Sequence, residues 1–293
     1  MLAGSTGKHI ATPGRLGSGP ALGPQLLNLV GIDAAALGGT APVLHGVNLA
    51  VATGEPLAVI GASGAGKTTL LNMLALMQAP LAGSLLLDGA DPWAQTRRDR
   101  QRLRAGIALA PQHPPLPPRQ RVAVAVLAAR LPCMSLARSL RTLWSPPDAP
   151  LAQAALEQLG LPDKLWLRVD RLSGGERQRV GLARLLVSDA RLWLADEPLA
   201  ALDPTRAEQV LAVLRRNAAE RGAALVCSLH QVDLALKHFP RVVALRAGRV
   251  VFDGPPGGLD EELLEELYRS QHESPPELAP LPQPVPLPQA MCR

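Results

Sequence analysis

Apolar residues along the chain follow two rhythms. Short runs at 26–30, 47–51, 57–60, 192–195 and 224–229 are bounded by turn-forming residues and predict β-strands. The last two are almost wholly apolar, Ser228 excepted, as strands buried on both faces of a parallel sheet are. Longer stretches with helical spacing lie at 67–77, 152–159 and 205–221, the last turning Leu211 and Leu214 inward. Two further apolar runs, 242–245 and 250–252, flank Arg-Ala-Gly-Arg and predict a terminal hairpin, with a short helix over 260–269 beyond it. Strand and helix alternate, which predicts an α/β core. The stretch 91–170, rich in Arg, Ala, Leu and Gln, reads as a helical insertion, and no repeat of fixed period is present.

Composition narrows the picture. At 293 residues, 47% apolar and 19% charged, there is material for one large α/β domain. Only seven side chains are aromatic, so Leu, Val and Ala must do the packing. The first 24 residues and the tail 273–293 are rich in Gly, Ser or Pro and bury too little apolar surface to offset ordering. They are expected to be flexible extensions of a domain spanning 25–272, with a helical subdomain at about 91–180. Proline recurs through the tail and favours an extended, solvated chain. The formal charge of +5 and pI near 9.6 raise the question of a nucleic-acid partner. Scattered Arg residues and the lack of stacking aromatics argue against it. Cys133, Cys227 and Cys292 form an odd set without CxxC spacing, against a disulfide framework or zinc site and in keeping with a reducing, cytoplasmic compartment. The apolar run at 122–129 is far shorter than the roughly 20 residues a membrane span needs. Nor does the N-terminus read as a secretion signal.

The chemistry is concentrated at three places. Gly61, Ala62, Ser63, Gly64, Ala65, Gly66, Lys67 and Thr68 satisfy G-x-x-x-x-G-K-[ST] between an apolar strand and a helix, the context a phosphate loop requires. Its glycines let backbone N–H groups close on a β-phosphate, Lys67 reaches the β/γ oxygens, and Thr68 offers a hydroxyl to Mg²⁺. Thr69 is assigned to ATP binding with them. A second Gly-Lys pair near Lys8 lacks both the first glycine and a preceding strand, and is set aside. Asp196 and Glu197 end an apolar strand, where open α/β sheets bind ligands. Adjacent acids at a strand end are usually solvated turn residues. Beside a phosphate loop they read as a Mg²⁺ holder, Asp196, and a residue that orients the attacking water, Glu197.

The third place is the run Leu172, Ser173, Gly174, Gly175, Glu176, Arg177, Gln178, Arg179. Physically it is a helix start, with Ser173 and Glu176 spaced as a capping box and two glycines exposing backbone donors. It resembles the signature of ABC-type ATPases, and the remaining family elements follow in order. The resemblance implies that Ser173, Gly174, Gly175 and Glu176 cap the γ-phosphate of ATP held by a second subunit, giving a head-to-tail homodimer with two sandwiched nucleotides. It implies that Gln112 links Mg²⁺ to a membrane partner, that Asp203 crosses the dimer interface, and that His230 contacts the γ-phosphate. The implied fold is a P-loop nucleotide-binding domain with a mixed sheet, a helical subdomain insertion and an antiparallel β subdomain. Where the family places an aromatic against adenine, this chain has Ala36, Leu37 and Gly38, leaving apolar contact to Leu37 or Val43. Pro111 replaces the usual aromatic before Gln112.

Within the family, 229–236, 241–248 and 267–270 look like the ATP-binding subunit of phosphonate importers, as does a longer helical segment at 135–144. That resemblance implies an ATP- and Mg²⁺-dependent motor. It would sit peripherally on the cytoplasmic face of the inner membrane, bound to permease subunits and served indirectly by a periplasmic solute-binding protein. Two rivals share the motifs: an ATPase of the carbon–phosphorus lyase system and an importer motor for another small solute. DNA-repair and translation ABC proteins usually carry two such domains or a long coiled coil, and neither is present here. Intact Lys67, Asp196, Glu197 and His230 argue against a catalytically dead interaction protein.

Overall fold

The computed structural model describes residues 24–144 and 146–269. The extensions expected over 1–24 and 273–293, with Cys292 and the sequence around Lys8, lie outside these residues, Pro24 excepted; so does Ser270.

Strands β1 (Gln25–Ala35) and β2 (Pro42–Ala52) form an antiparallel pair, and β3 (Pro56–Ile60) starts the main sheet. Helix α1 (Lys67–Leu74) is followed by β4 (Ala82–Leu87), which completes a three-stranded sheet in the order β2-β1-β4. Next come α2 (Arg97–Ala105), β5 (Ile107–Ala110) and the helices α3 (Val122–Leu127), α4 (Leu136–Trp144), α5 (Ala149–Gln158) and α6 (Gly174–Val187). The chain then runs through β6 (Leu192–Asp196), α7 (Pro204–Glu220), β7 (Ala224–Ser228), α8 (Val232–His238), β8 (Arg241–Arg246), β9 (Arg249–Gly254) and α9 (Glu261–Tyr268). The main sheet has the order β5-β6-β7-β3-β8-β9, parallel except for β9.

Two cores follow from this layering. Side chains of α1, among them Leu70, Leu71 and Met73, pack between the antiparallel sheet and one face of the main sheet. The opposite face, with Trp193 and Leu225, packs against Leu211 and Leu214 of α7 and against α3, α5 and α6. Strand β6 is buried at all five positions, which explains its unbroken apolar run. Asp203 caps α7 by accepting the Arg206 N–H at 3.0 Å, with Pro204 next to it where a missing N–H costs nothing.

Three sequence readings are corrected. The stretch 91–170 is not wholly a helical insertion, because β5 within it pairs in parallel with β6 as the edge of the main sheet. The helix predicted over 67–77 stops at Leu74. Leu76 adopts φ +56°, its N–H bonds Met73 O, and the Met77 N–H bonds Asn72 O, a Schellman closure made without the usual glycine. Arg104 then takes the Leu76 carbonyl at 2.7 and 3.1 Å. Finally, 82–87 forms β4, which periodicity alone did not mark.

The sheets are joined at their base by Arg241. Its guanidinium grips Asp253 through two bonds of 2.6 and 2.7 Å and donates to Glu55 Oε1 and to the Ala50 carbonyl, each at 2.9 Å. Burial alone would lower its pKa, but the bonds to Asp253 and Glu55 outweigh that and hold it above the ordinary value. The Glu55 side chain is 3% exposed. Arg241→Ala leaves that carboxylate buried without its cation, so stability should fall by about 3–5 kcal/mol. A urea unfolding curve checks this; a shift below 1 kcal/mol is the contrary result.

Cys133 is exposed and Cys227 buried, both as free thiols, and burial pushes the Cys227 thiol up to about 12. Among the described residues no helix is long and apolar enough to cross a membrane.

Candidate active site

The phosphate loop joins β3 to α1 and is shaped by close backbone contacts. A Cβ on Gly61, whose φ is +149°, would come within 2.3 Å of the Leu245 carbonyl. Gly248, in the β8–β9 turn, packs against the Val43 carbonyl and donates its N–H to Ala65 O at 3.1 Å, so the predicted hairpin also braces the loop. Helix α1 has no side-chain cap, and Gly66 precedes it in a left-handed conformation. Its first N–H groups therefore face the cleft as a ready anion site. Lys67 is buried and donates to the carbonyls of Gly61 at 2.8 Å and Ala62 at 3.1 Å. Desolvation lowers its pKa, while Glu197 and Asp196 pull it back up.

Parallel pairing places the C-terminal ends of β3, β6 and β7 side by side, which carries Asp196, Glu197 and His230 to the loop. A cleft of about 460 Å³ results, lined in part by Ser63, Gly64, Lys67, Thr68 and Thr69. Gln112, Glu197 and His230, which lie far apart in sequence, complete its lining. Glu197 has φ +47°, a conformation that costs a non-glycine residue on the order of 1–2 kcal/mol. Gln112 donates to Glu197 Oε2 at 2.6 Å, and His230 Nε2 lies 2.5 Å from Oε1.

Asp196 is buried, 4% exposed, and is not among the residues that line the cleft. Its Oδ1 accepts the Ser228 hydroxyl at 2.6 Å, and among the described residues its second oxygen accepts no hydrogen bond. Neither Ser228 nor Gln178 was singled out as functional from the sequence. Ser228 also accepts the Glu197 N–H at 2.9 Å, and Gln178 donates to the Glu197 carbonyl at 2.8 Å. Gln178 lies within the signature run and Ser228 interrupts an apolar run, but neither pattern gives the role, since each acts across strands or helices distant along the chain. Val43 lines the cleft, whereas Leu37 stands 54% exposed and is not part of its wall.

The signature residues are not brought to this cleft. Ser173, Gly174, Gly175 and Glu176 open α6 elsewhere on the surface, and Asp203 caps α7. The predicted capping box is present: Ser173 accepts the Glu176 N–H at 3.3 Å and Glu176 accepts the Ser173 N–H at 2.8 Å. That second bond, with Lys164 at 2.9 Å, holds the Glu176 carboxyl at about 2. The α6 start abuts the segment before Asp203, where a Cβ on Gly175 would lie 3.0 Å from Ala201 O.

A family profile described as ABC transporter matches residues 44–200. The chain is 58% identical, over 80% of its length and 84% of the relative's, to the phosphonates import ATP-binding protein PhnC 2 of Albidiferax ferrireducens. A phosphonates import ATP-binding protein from a Polaromonas species is 56% identical over 79% of this chain and 83% of its own. Among solved structures, a dimeric ATP-binding cassette in a post-hydrolysis state bound to ADP and Pi superposes with a TM-score of 0.66 at 25% identity. That alignment covers 80% of this chain and 100% of the cassette. Fold, motif order and relatives agree, and the chain belongs to the ABC transporter family.

Proposed function

We propose that this chain is the ATP-hydrolysing motor of a phosphonate importer, working as a homodimer on the cytoplasmic face of a membrane permease. The observation that carries ATP hydrolysis is the convergence of Gln112, Glu197 and His230 on the phosphate loop. The transported class rests on the two phosphonate-import relatives. In this reading ATP enters the cleft with its phosphates over the α1 N-terminus. Lys67 exchanges the carbonyls of Gly61 and Ala62 for β/γ oxygens, a trade of two neutral acceptors for charged ones. Glu197 releases Gln112 and His230, accepts a hydrogen bond from water and aims it in line with the γ-phosphate. His230 then turns to a γ-oxygen.

The donors near the cleft fit a hard cation. Thr68, Gln112 and the free oxygen of Asp196 would hold Mg²⁺, directly or through water, and the ion would neutralise charge on the β- and γ-oxygens. Among the described residues no group of three or more His, Cys, Asp or Glu could hold a metal alone. Such sparse protein ligation suits Mg²⁺ bound together with a nucleotide. Ser173, Gly174, Gly175 and Glu176 serve the nucleotide of the second subunit, and Asp203 meets it across the interface. A solute-binding protein would deliver the phosphonate to the permease, so the substrate never touches this chain. The ATP-binding domain is taken as 25–272.

Deleting the gene should abolish growth on a phosphonate as sole phosphorus source and spare growth on inorganic phosphate. The wild-type gene should restore growth and Lys67→Ala should not. Continued uptake of labelled phosphonate in a deletion strain without a second importer would overturn the transport reading. If uptake persists but cleavage of the carbon–phosphorus bond stops, the lyase-associated reading replaces it.

A further inference from the structure

Strand register makes Asp196 of β6 and Ser228 of β7 direct neighbours, and Ser228 is fully buried. Its single hydroxyl proton can go to only one acceptor. At 2.6 Å that acceptor is Asp196 Oδ1, which leaves the oxygen lone pairs to take the Glu197 N–H at 2.9 Å. On the other side of the same residue, Gln178 Nε2 donates to the Glu197 carbonyl at 2.8 Å while its Oε1 accepts the Ala201 N–H at 3.2 Å. Gln178 is itself 6% exposed and lies on α6.

The N–H and C=O of one residue flank its two backbone torsions, so anchoring both sets the pair. Glu197 is held at φ +47°, a conformation that persists in a residue of this size only where the surroundings impose it. We propose that Ser228 is a positioning residue for hydrolysis: its hydroxyl fixes the Asp196 carboxylate and, with Gln178, the left-handed backbone that aims Glu197 into the cleft. The second Asp196 oxygen, which accepts no hydrogen bond among the described residues, would then be left for a cation. Gln178 further ties the aim of Glu197 to the helix that starts at Ser173. This inference rests on the roles given above to Asp196 and Glu197.

The test uses the full-length protein with two readouts. Mn²⁺ affinity, measured by electron paramagnetic resonance with a non-hydrolysable ATP analogue, reports on Asp196. Steady-state ATP hydrolysis reports on Glu197. Ser228→Ala should lower Mn²⁺ affinity and kcat by about 10- to 100-fold each, the usual result of losing a partner of a metal ligand. KM for ATP at saturating metal should stay within about twofold, because the phosphate loop is untouched. Ser228→Thr keeps the hydroxyl and should restore both readouts. Gln178→Leu should lower kcat and leave Mn²⁺ affinity unchanged, because Gln178 touches Glu197 and not Asp196.

A Ser228→Ala protein with wild-type kcat and Mn²⁺ affinity, even if its Tm has dropped, would overturn the proposal. So would a folded Ser228→Thr protein as impaired as the Ala variant. If Ser228→Ala does not fold, Ser228→Cys, with a weaker donor, carries the same comparison. Asp196→Asn and Glu197→Gln separate the two levels. Normal Mn²⁺ binding in the first or wild-type turnover in the second sinks the underlying roles, and the Ser228 role with them. Expected losses in both, beside an unaffected Ser228→Ala, sink the Ser228 role alone.

Discussion

Glu197→Gln should cut ATP hydrolysis by about 10² to 10⁴ while ATP binds as tightly as before, the range typical of losing a positioned base. In the proposed mechanism the groups that would hold phosphate are distinct from the one that would orient water. Lys67 and the N–H groups at the α1 start belong to the loop after β3, whereas Glu197 reaches the cleft from the end of β6. Replacing one carboxylate oxygen by an amide keeps the size and one acceptor. It removes the charge that draws the water proton and turns one of the two contacts from acceptor to donor. Binding without hydrolysis should leave the dimer closed, visible in size-exclusion chromatography as an ATP-dependent species that does not decay. Hydrolysis at near wild-type rate by this variant would show that Glu197 is not the residue that positions water.

Ser173→Arg and Lys67→Ala should each abolish turnover as homodimers, by about 10² or more, and mixing the two should restore it. Ser173 is exposed at the N-terminus of the 14-residue α6 and does not line the cleft of its own chain. A γ-phosphate contact from Ser173 therefore has to be made across a dimer. In the mixed dimer the Ser173→Arg chain supplies an intact phosphate loop and the Lys67→Ala chain an intact signature, so one composite site survives. The other site combines both lesions and is dead. Arg at the cap position also forfeits the Ser173 side-chain bond to the Glu176 N–H, at about 1 kcal/mol, which a small drop in Tm should show without loss of fold. An inert mixture in which cross-linking shows heterodimers would refute the shared site. So would wild-type turnover by a strictly monomeric preparation.

Much of this site was legible because its signals are local. A phosphate loop needs its glycines, Lys67 and Thr68 at fixed covalent spacing, and a helix start needs Ser173 and Glu176 three residues apart. In such cases chain order is already geometry, and the capping box and the β8–β9 hairpin follow from the same logic. Strands β3, β6 and β7 were legible from nearly continuous apolar runs, since burial on both faces leaves little room for polar alternation.

What the sequence could not determine depends on partners distant along the chain. Strand β5 is four residues beside an Arg-rich helix, and only pairing with β6, some 80 residues later, makes it sheet. The stop of α1 at Leu74 carries no glycine; a leucine takes the left-handed position because backbone bonds and Arg104 hold it there. Ser228 belongs to no motif, and Gln178, although it lies within the signature run, carries no role there that its spacing reveals. Their roles arise from register between β6 and β7 and from the packing of α6 against the segment after β6, which bring a hydroxyl and an amide to the two peptide groups of Glu197. Residue type and spacing thus determined which groups are present, while the fold alone decided how Glu197 is aimed, because a backbone torsion is set by whatever buried partners its N–H and C=O find.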